Sequence, residues 1–147
     1  MSWVVYDVNN FKPIIQEIVD PRCGDCMQAC VASLLGLEKP SDVPHFFDVP
    51  GSTKVAPGYQ WLSDKNLWFE YSHPRLSRAA GDEIDVNPEP FPGYAIASVP
   101  SALFPGTSHA VIVKDGKVVW DPSPHASKRT LPYDPVNVYY RLVSTKE

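Results

Sequence analysis

No stretch of this 147-residue chain approaches the roughly 20 consecutive apolar residues of a membrane-spanning helix, so a membrane partner is not expected. Its start, Met1-Ser2-Trp3-Val4-Val5-Tyr6-Asp7, lacks a basic region followed by a long apolar run, so no signal peptide is expected. Positive charge is in deficit too. Thirteen Lys and Arg against 17 Asp and Glu leave a net charge of -4 and no basic patch, which argues against nucleic acid as a partner. There are only three cysteines, all between positions 23 and 30, the wrong pattern for a secreted disulfide framework. A cytoplasmic protein with reduced thiols is the simplest expectation. Internal repeats and low-complexity tracts are absent as well. Proline, at 16, is plentiful and predicts short elements joined by stiff loops. Hydrophobic content of 44% and a length suited to one core predict a single globular domain over 1–147.

The chain is organised around Cys23-Gly24-Asp25-Cys26-Met27-Gln28-Ala29-Cys30 and the apolar run that follows. Gly24 permits a turn, and Asp25 is a favoured N-cap, its carboxylate expected to accept from the free amides of a helix. Nothing breaks that helix from Cys26 until Gly36. With almost no polar face it should be buried on most sides. A thiol at a helix start meets unsatisfied amides and the positive end of the macrodipole. In such surroundings a thiol ionises and becomes a nucleophile. Cys30, one turn below, reads as a small buried hydrophobe.

Helical and extended segments then follow in a simple order. Trp3–Tyr6 predicts a strand, and Lys12–Val19 an extended approach to the cysteine turn that carries Gln16. Lys39–Phe47 predicts a short helix begun by Ser41 or Asp42, with His45 packed at the surface. Tyr59–Asn66 predicts a brief helix and Leu67–Tyr71 an aromatic strand. Residues 72–92 predict a long surface loop with one helical turn near Leu76–Ala80. With the aromatic segment before it, that loop is where a specificity surface is expected. Tyr94–Val99, Ser108–Val113, Lys117–Asp121 and Asn137–Val143 predict a C-terminal sheet. Asp115-Gly116 is the hairpin turn between its second and third strands. Helices first and an antiparallel sheet after them predict an α+β architecture.

His109 lies six residues before the Asp115-Gly116 turn and Asp121 five after it. Across a tight hairpin such positions are neighbours, about 5 Å apart at Cβ. A carboxylate there would hold the imidazole by Nδ1-H and leave Nε2 for a thiol. Packing the sheet across the helix start would add Cys26 to that pair.

The order Asp25-Cys26-x-x-Ala29-Cys30, then Ser108-His109-Ala110-Val111-Ile112-Val113, then Val118-Val119-Trp120-Asp121-Pro122 resembles the papain-like cysteine peptidase superfamily. Within it the chain is most similar to the bacteriocin-leader (double-glycine) peptidase domains of ABC exporters. It is also similar to a group of small bacterial and phage proteins with a matching cysteine motif and His-Ala-Val-Val…Asp-Pro pair. The likeness spans residues 13 to 143. It implies a papain-like fold with Cys26 as nucleophile, His109 as base, Asp121 as its orienter and Gln16 as oxyanion donor beside the Cys26 amide. It implies no cofactor. Met27 departs from the leader peptidases, which have glycine there, and Gln16 lies further upstream of the nucleophile than usual.

A thiol hydrolase acting on a peptide, isopeptide or side-chain amide bond is the leading expectation, with a peptide or protein substrate. The same triad could serve an acyltransferase, and the fold could serve as a peptide-binding module that does not cut. Cys23-x-x-Cys26 also admits a redox pair or half a zinc site, with Cys23 as a thiol that could cap Cys26 under oxidation. His125 could line the cleft, His73 belongs at the surface, and Trp120 belongs to the core.

Overall fold

The unbroken run from Cys26 to Leu35 forms the helix α1 of a computed structural model that describes residues 2–20, 24–48, 51–77, 84–86 and 88–146. Six consecutive residues, Ala29 to Leu34, are buried, as an apolar helix without a polar face requires. Gly36 ends it at φ +71°, and its amide donates to the carbonyls of Ala32 and Ser33. A Cβ on Gly36 would lie 2.5 Å from the Asn10 carbonyl oxygen. Gly36→Ala is therefore expected to cost about 1–3 kcal/mol, read as a lower urea midpoint with an unchanged slope.

The chain is α+β. Strands β1 (Ser2–Val5), β2 (Leu67–Ser72), β5 (Tyr94–Pro100), β6 (Ser108–Lys114), β7 (Lys117–Trp120) and β8 (Val138–Lys146) make a six-stranded sheet, antiparallel at each pairing. Its path runs β1-β8-β5-β6-β7, and β2 also pairs β8. A second helix, α2 (Pro57–Asp64), precedes β2 and begins with proline, whose missing amide costs nothing there. Among the described helices none is long and apolar enough to cross a membrane.

The central strands are apolar on both faces. Ile96, Ala110, Ile112 and Leu142 pack with α1 on one side. Ala95, Ala97, Val99, Val111 and Val113 form a second cluster, against which Phe91, Val118, Tyr133 and Val136 pack. Burial on two faces is why β5 and β6 read as continuous apolar runs instead of alternating.

Three expectations need correction. The short helix at Lys39–Phe47 is only a 3-10 turn, Pro40–Asp42. Asp42 closes it from the far end, its carboxylate accepting from the amides of Glu38 and Lys39 at 3.1 Å. Val43 is extended at φ -116° because Pro44 follows it. Within 72–92, β3 (Arg75–Ser77) and β4 (Ile84–Val86) pair as a separate two-stranded sheet where a loop and helical turn were expected. A long surface segment satisfies its backbone by pairing with itself. Residues 78–83 and 87 of that stretch lie outside the described ones. Third, Asp25 does not cap α1 with its side chain; its carboxylate reaches back to the Gln16 segment.

Candidate active site

Cys26 stands at the first position of α1, half-buried, with Asp25 and Gly24 before it. Gly24 is required for space, not for an unusual φ: a Cβ there would sit 2.7 Å from the Asp20 carbonyl oxygen. The close approach lets the Gly24 amide donate to that carbonyl at 3.2 Å and the Asp25 amide to Ile18 O at 3.3 Å. Ile18 and Asp20 are thereby held against the helix start.

His109 lies near the start of β6, and its Nε2 is 2.6 Å from Asp121 Oδ1. The side chains are 12% and 6% exposed. The ring is turned the other way from the expected one. Asp121 takes Nε2, which leaves Nδ1 as the free ring nitrogen, and Cys26 lines the same cleft, close enough to act on the charge of the imidazole. Asp121 is held in turn by the Ser123 amide at 2.9 Å and the Tyr133 hydroxyl at 3.0 Å. Tyr133 carried no signal in the sequence. The Ser123 contact is an Asx turn, and Asp121-Pro122-Ser123 could have announced it.

A β-bulge sets the His109–Asp121 pairing. Val113 pairs Val118 and Ile112 pairs Trp120, so one step along β6 matches two along β7, and Val119 is the extra residue. The packing follows that register: Val118 joins the cluster of Val111 and Val113, while Trp120 packs with Ile112 on the α1 side. Carried one residue further, the register puts Asp121 on the face of Val111 and His109. An unbroken ladder would have set it beside Ala110, on the other face.

Burial opposes a charge on His109, but the Asp121 hydrogen bond, the Cys26 hydrogen bond and the negative charges of both outweigh it, raising its pKa from 6.5 to about 9. Burial also raises Asp121, and the His109 hydrogen bond and charge prevail to leave it lowered. The two shifts agree on an imidazolium–carboxylate pair at neutral pH. Cys30 is fully buried, and burial first, then the negative charges of Cys26 and Asp121, push its thiol well up, so it is inert.

Gln16 lines the same cleft as Cys26 and His109 and is 7% exposed. Its amide Nε2 donates one hydrogen to Ile18 O at 3.0 Å, leaving a second N–H. Oε1 is the one buried side-chain polar atom without a partner among the described residues. Gln16 N donates to Pro122 O at 2.8 Å, and Trp120 Nε1 donates to Ile14 O at 2.9 Å. The segment before the cysteine turn is thus tied directly to the end of β7 and to Pro122, on either side of Asp121.

The cleft encloses about 190 Å³. Its walls come from the loops after β5 (Ser101–Phe104, Thr107) and after β7 (Ser123–Thr130), with exposed His125 on the rim. Among the described residues it takes none from 59–92, so the specificity surface expected there is misplaced. That region sits by β8 at the other end of the sheet, where exposed Tyr71 and His73 stack and half-buried Tyr140 meets Tyr71 edge-on. His45 stacks on Phe47, ring centroids 3.9 Å apart. Among the described residues no group of three His, Cys, Asp or Glu is placed to hold a metal. Cys23, and with it the redox pair and half zinc site, lies outside the described residues.

Neither family models, nor curated proteins, nor solved structures give a match to this chain.

Proposed function

We propose that the chain is a thiol hydrolase of papain-like type, cleaving a peptide, isopeptide or side-chain amide bond through an acyl-enzyme. The observation that carries this reading is one histidine between a buried carboxylate and a helix-leading thiol in a single cleft. Cys26 attacks the acyl carbon as His109 takes up the thiol proton. That proton passes to the leaving amine, and the imidazole then draws one from the water that resolves the thioester. Asp121 fixes the ring and favours its charged form. The Cys26 amide and the second Gln16 N–H are the donors for the tetrahedral oxygen.

Selective alkylation tests it. With His109 beside it to take the proton, Cys26 should react with iodoacetamide about tenfold faster than an unassisted cysteine. Mass-spectrometric mapping should find the label on Cys26, with His109→Ala slowing it by that factor. Equal, sluggish labelling of the cysteines would refute the reading and favour a module that binds peptide without cutting it.

A further inference from the structure

We propose that Asp25 is a positioning residue, which sets the oxyanion donor Gln16 against the nucleophile by binding the backbone just after it. The inference rests on the reading of Cys26 as an acyl-transfer nucleophile. Asp25 is 3% exposed, yet its carboxylate does not serve the helix it adjoins. Both oxygens accept from the Glu17 amide, at 3.0 and 3.2 Å, and Oδ1 also accepts from the Ile18 amide at 2.9 Å.

Those two amides immediately follow Gln16. The carbonyl of Ile18 accepts from Gln16 Nε2 at 3.0 Å and from the Asp25 amide at 3.3 Å. Gln16's side chain and the Asp25 amide therefore meet at one carbonyl, that of Ile18, while the Asp25 carboxylate holds the two backbone amides that follow Gln16. On its other side Gln16 is anchored to Pro122 O. Glutamine loses several rotatable bonds when held, and an oxyanion donor misplaced by a fraction of an ångström loses its effect. Asp25 removes that freedom from the backbone side. Its charge is suited to this role, because a carboxylate can accept two amides at once, and charge-assisted hydrogen bonds are shorter and stronger than neutral ones.

Two reactions at the same sulfur separate this role from mere stability. In acylation by p-nitrophenyl acetate, Sγ bonds to the carbonyl carbon and the carbonyl electron pair moves to oxygen. The pair then returns and expels p-nitrophenolate. In alkylation by iodoacetamide, Sγ displaces iodide from a saturated carbon and no oxyanion forms. Asp25→Ala and Gln16→Ala are each expected to slow acylation about 100-fold, as loss of one oxyanion donor does. Alkylation of Cys26 should be unchanged in both.

Because Asp25 acts through Gln16, the double variant should acylate no more slowly than either single one. If Asp25→Ala does not fold, as judged by its thermal melt, Asp25→Asn carries the same cycle. It keeps one acceptor oxygen, so a slowdown of about tenfold is expected. Multiplying effects in the double variant, or alkylation falling in step with acylation, would overturn the proposal. Wild-type labelling indifferent to His109→Ala would instead remove the reaction itself, and the role of Asp25 with it.

Discussion

Hydrolysis of p-nitrophenyl acetate by the His109→Ala variant is expected to stall at the acyl-enzyme. A single equivalent of p-nitrophenolate should be released, after which turnover runs about 10²–10⁴-fold below wild type. The good leaving group needs no proton, so a thiolate alone can acylate, if slowly. Water attacking the thioester does need a base, and His109 shares the cleft with Cys26 and is held by a carboxylate. Intact-mass measurement should show an acetyl group on Cys26. Turnover at the wild-type rate without His109 would sink the assignment.

The pH dependence has a definite sign. The His109 pKa is raised from 6.5 to about 9 in the unreacted protein, with part of that elevation coming from Cys26. Once Cys26 is acylated that part disappears, so the imidazole should lose its proton more readily at the deacylation step, where a neutral base is needed. The folded state also holds the His109 proton more tightly than the unfolded chain does. The stability it contributes is therefore complete below about pH 6.5 and is lost as pH rises through about 9. Imidazole NMR titrations of wild type and Cys26→Ser should show the midpoint falling in the variant. An unmoved midpoint would contradict the contact.

Asp121→Ala is expected to reduce turnover about 10³-fold, because the imidazole loses both its orientation and the partner of its charged form. The His109 titration should shift down from about 9, since the Asp121 hydrogen bond is the first of the contributions raising it. Deleting Val119 makes the opposite case. It removes the extra residue of the bulge, so Val113–Val118 and Ile112–Trp120 become adjacent pairs of a regular ladder and Asp121 keeps its face. Activity and the His109 midpoint should survive that deletion. Loss of both, in a variant that still folds, would mean that the bulge does more than set the register.

How far each of these residues could be read in advance depended on how local its cause is. Helix α1 was legible because nothing between Cys26 and Gly36 opposes a helix and Gly36 supplies the left-handed stop. The β6–β7 turn was legible because Asp115 and Gly116 both take positive φ, 51° and 80°, which that dipeptide tolerates. Asp25 misled because a cap and a cross-segment clamp use the same carboxylate. Which amides it meets depends on where Ile18 has been folded, not on its neighbours in the chain. The β3–β4 ladder escaped notice because strands of three residues leave too short a period to detect.

The sequence by itself determined helix α1 and the β6–β7 hairpin, the α+β order and the chemistry available: one thiol leading a helix, one histidine and one aspartate flanking a hairpin. Those follow from backbone preferences and spacing, which act over a few residues. Tertiary structure alone decided that the Val119 bulge turns Asp121 toward His109, that Nε2 meets the carboxylate, and that Asp25 grips the Gln16 segment. Each depends on packing between segments tens of residues apart, where a shift of one residue reverses the face a side chain presents.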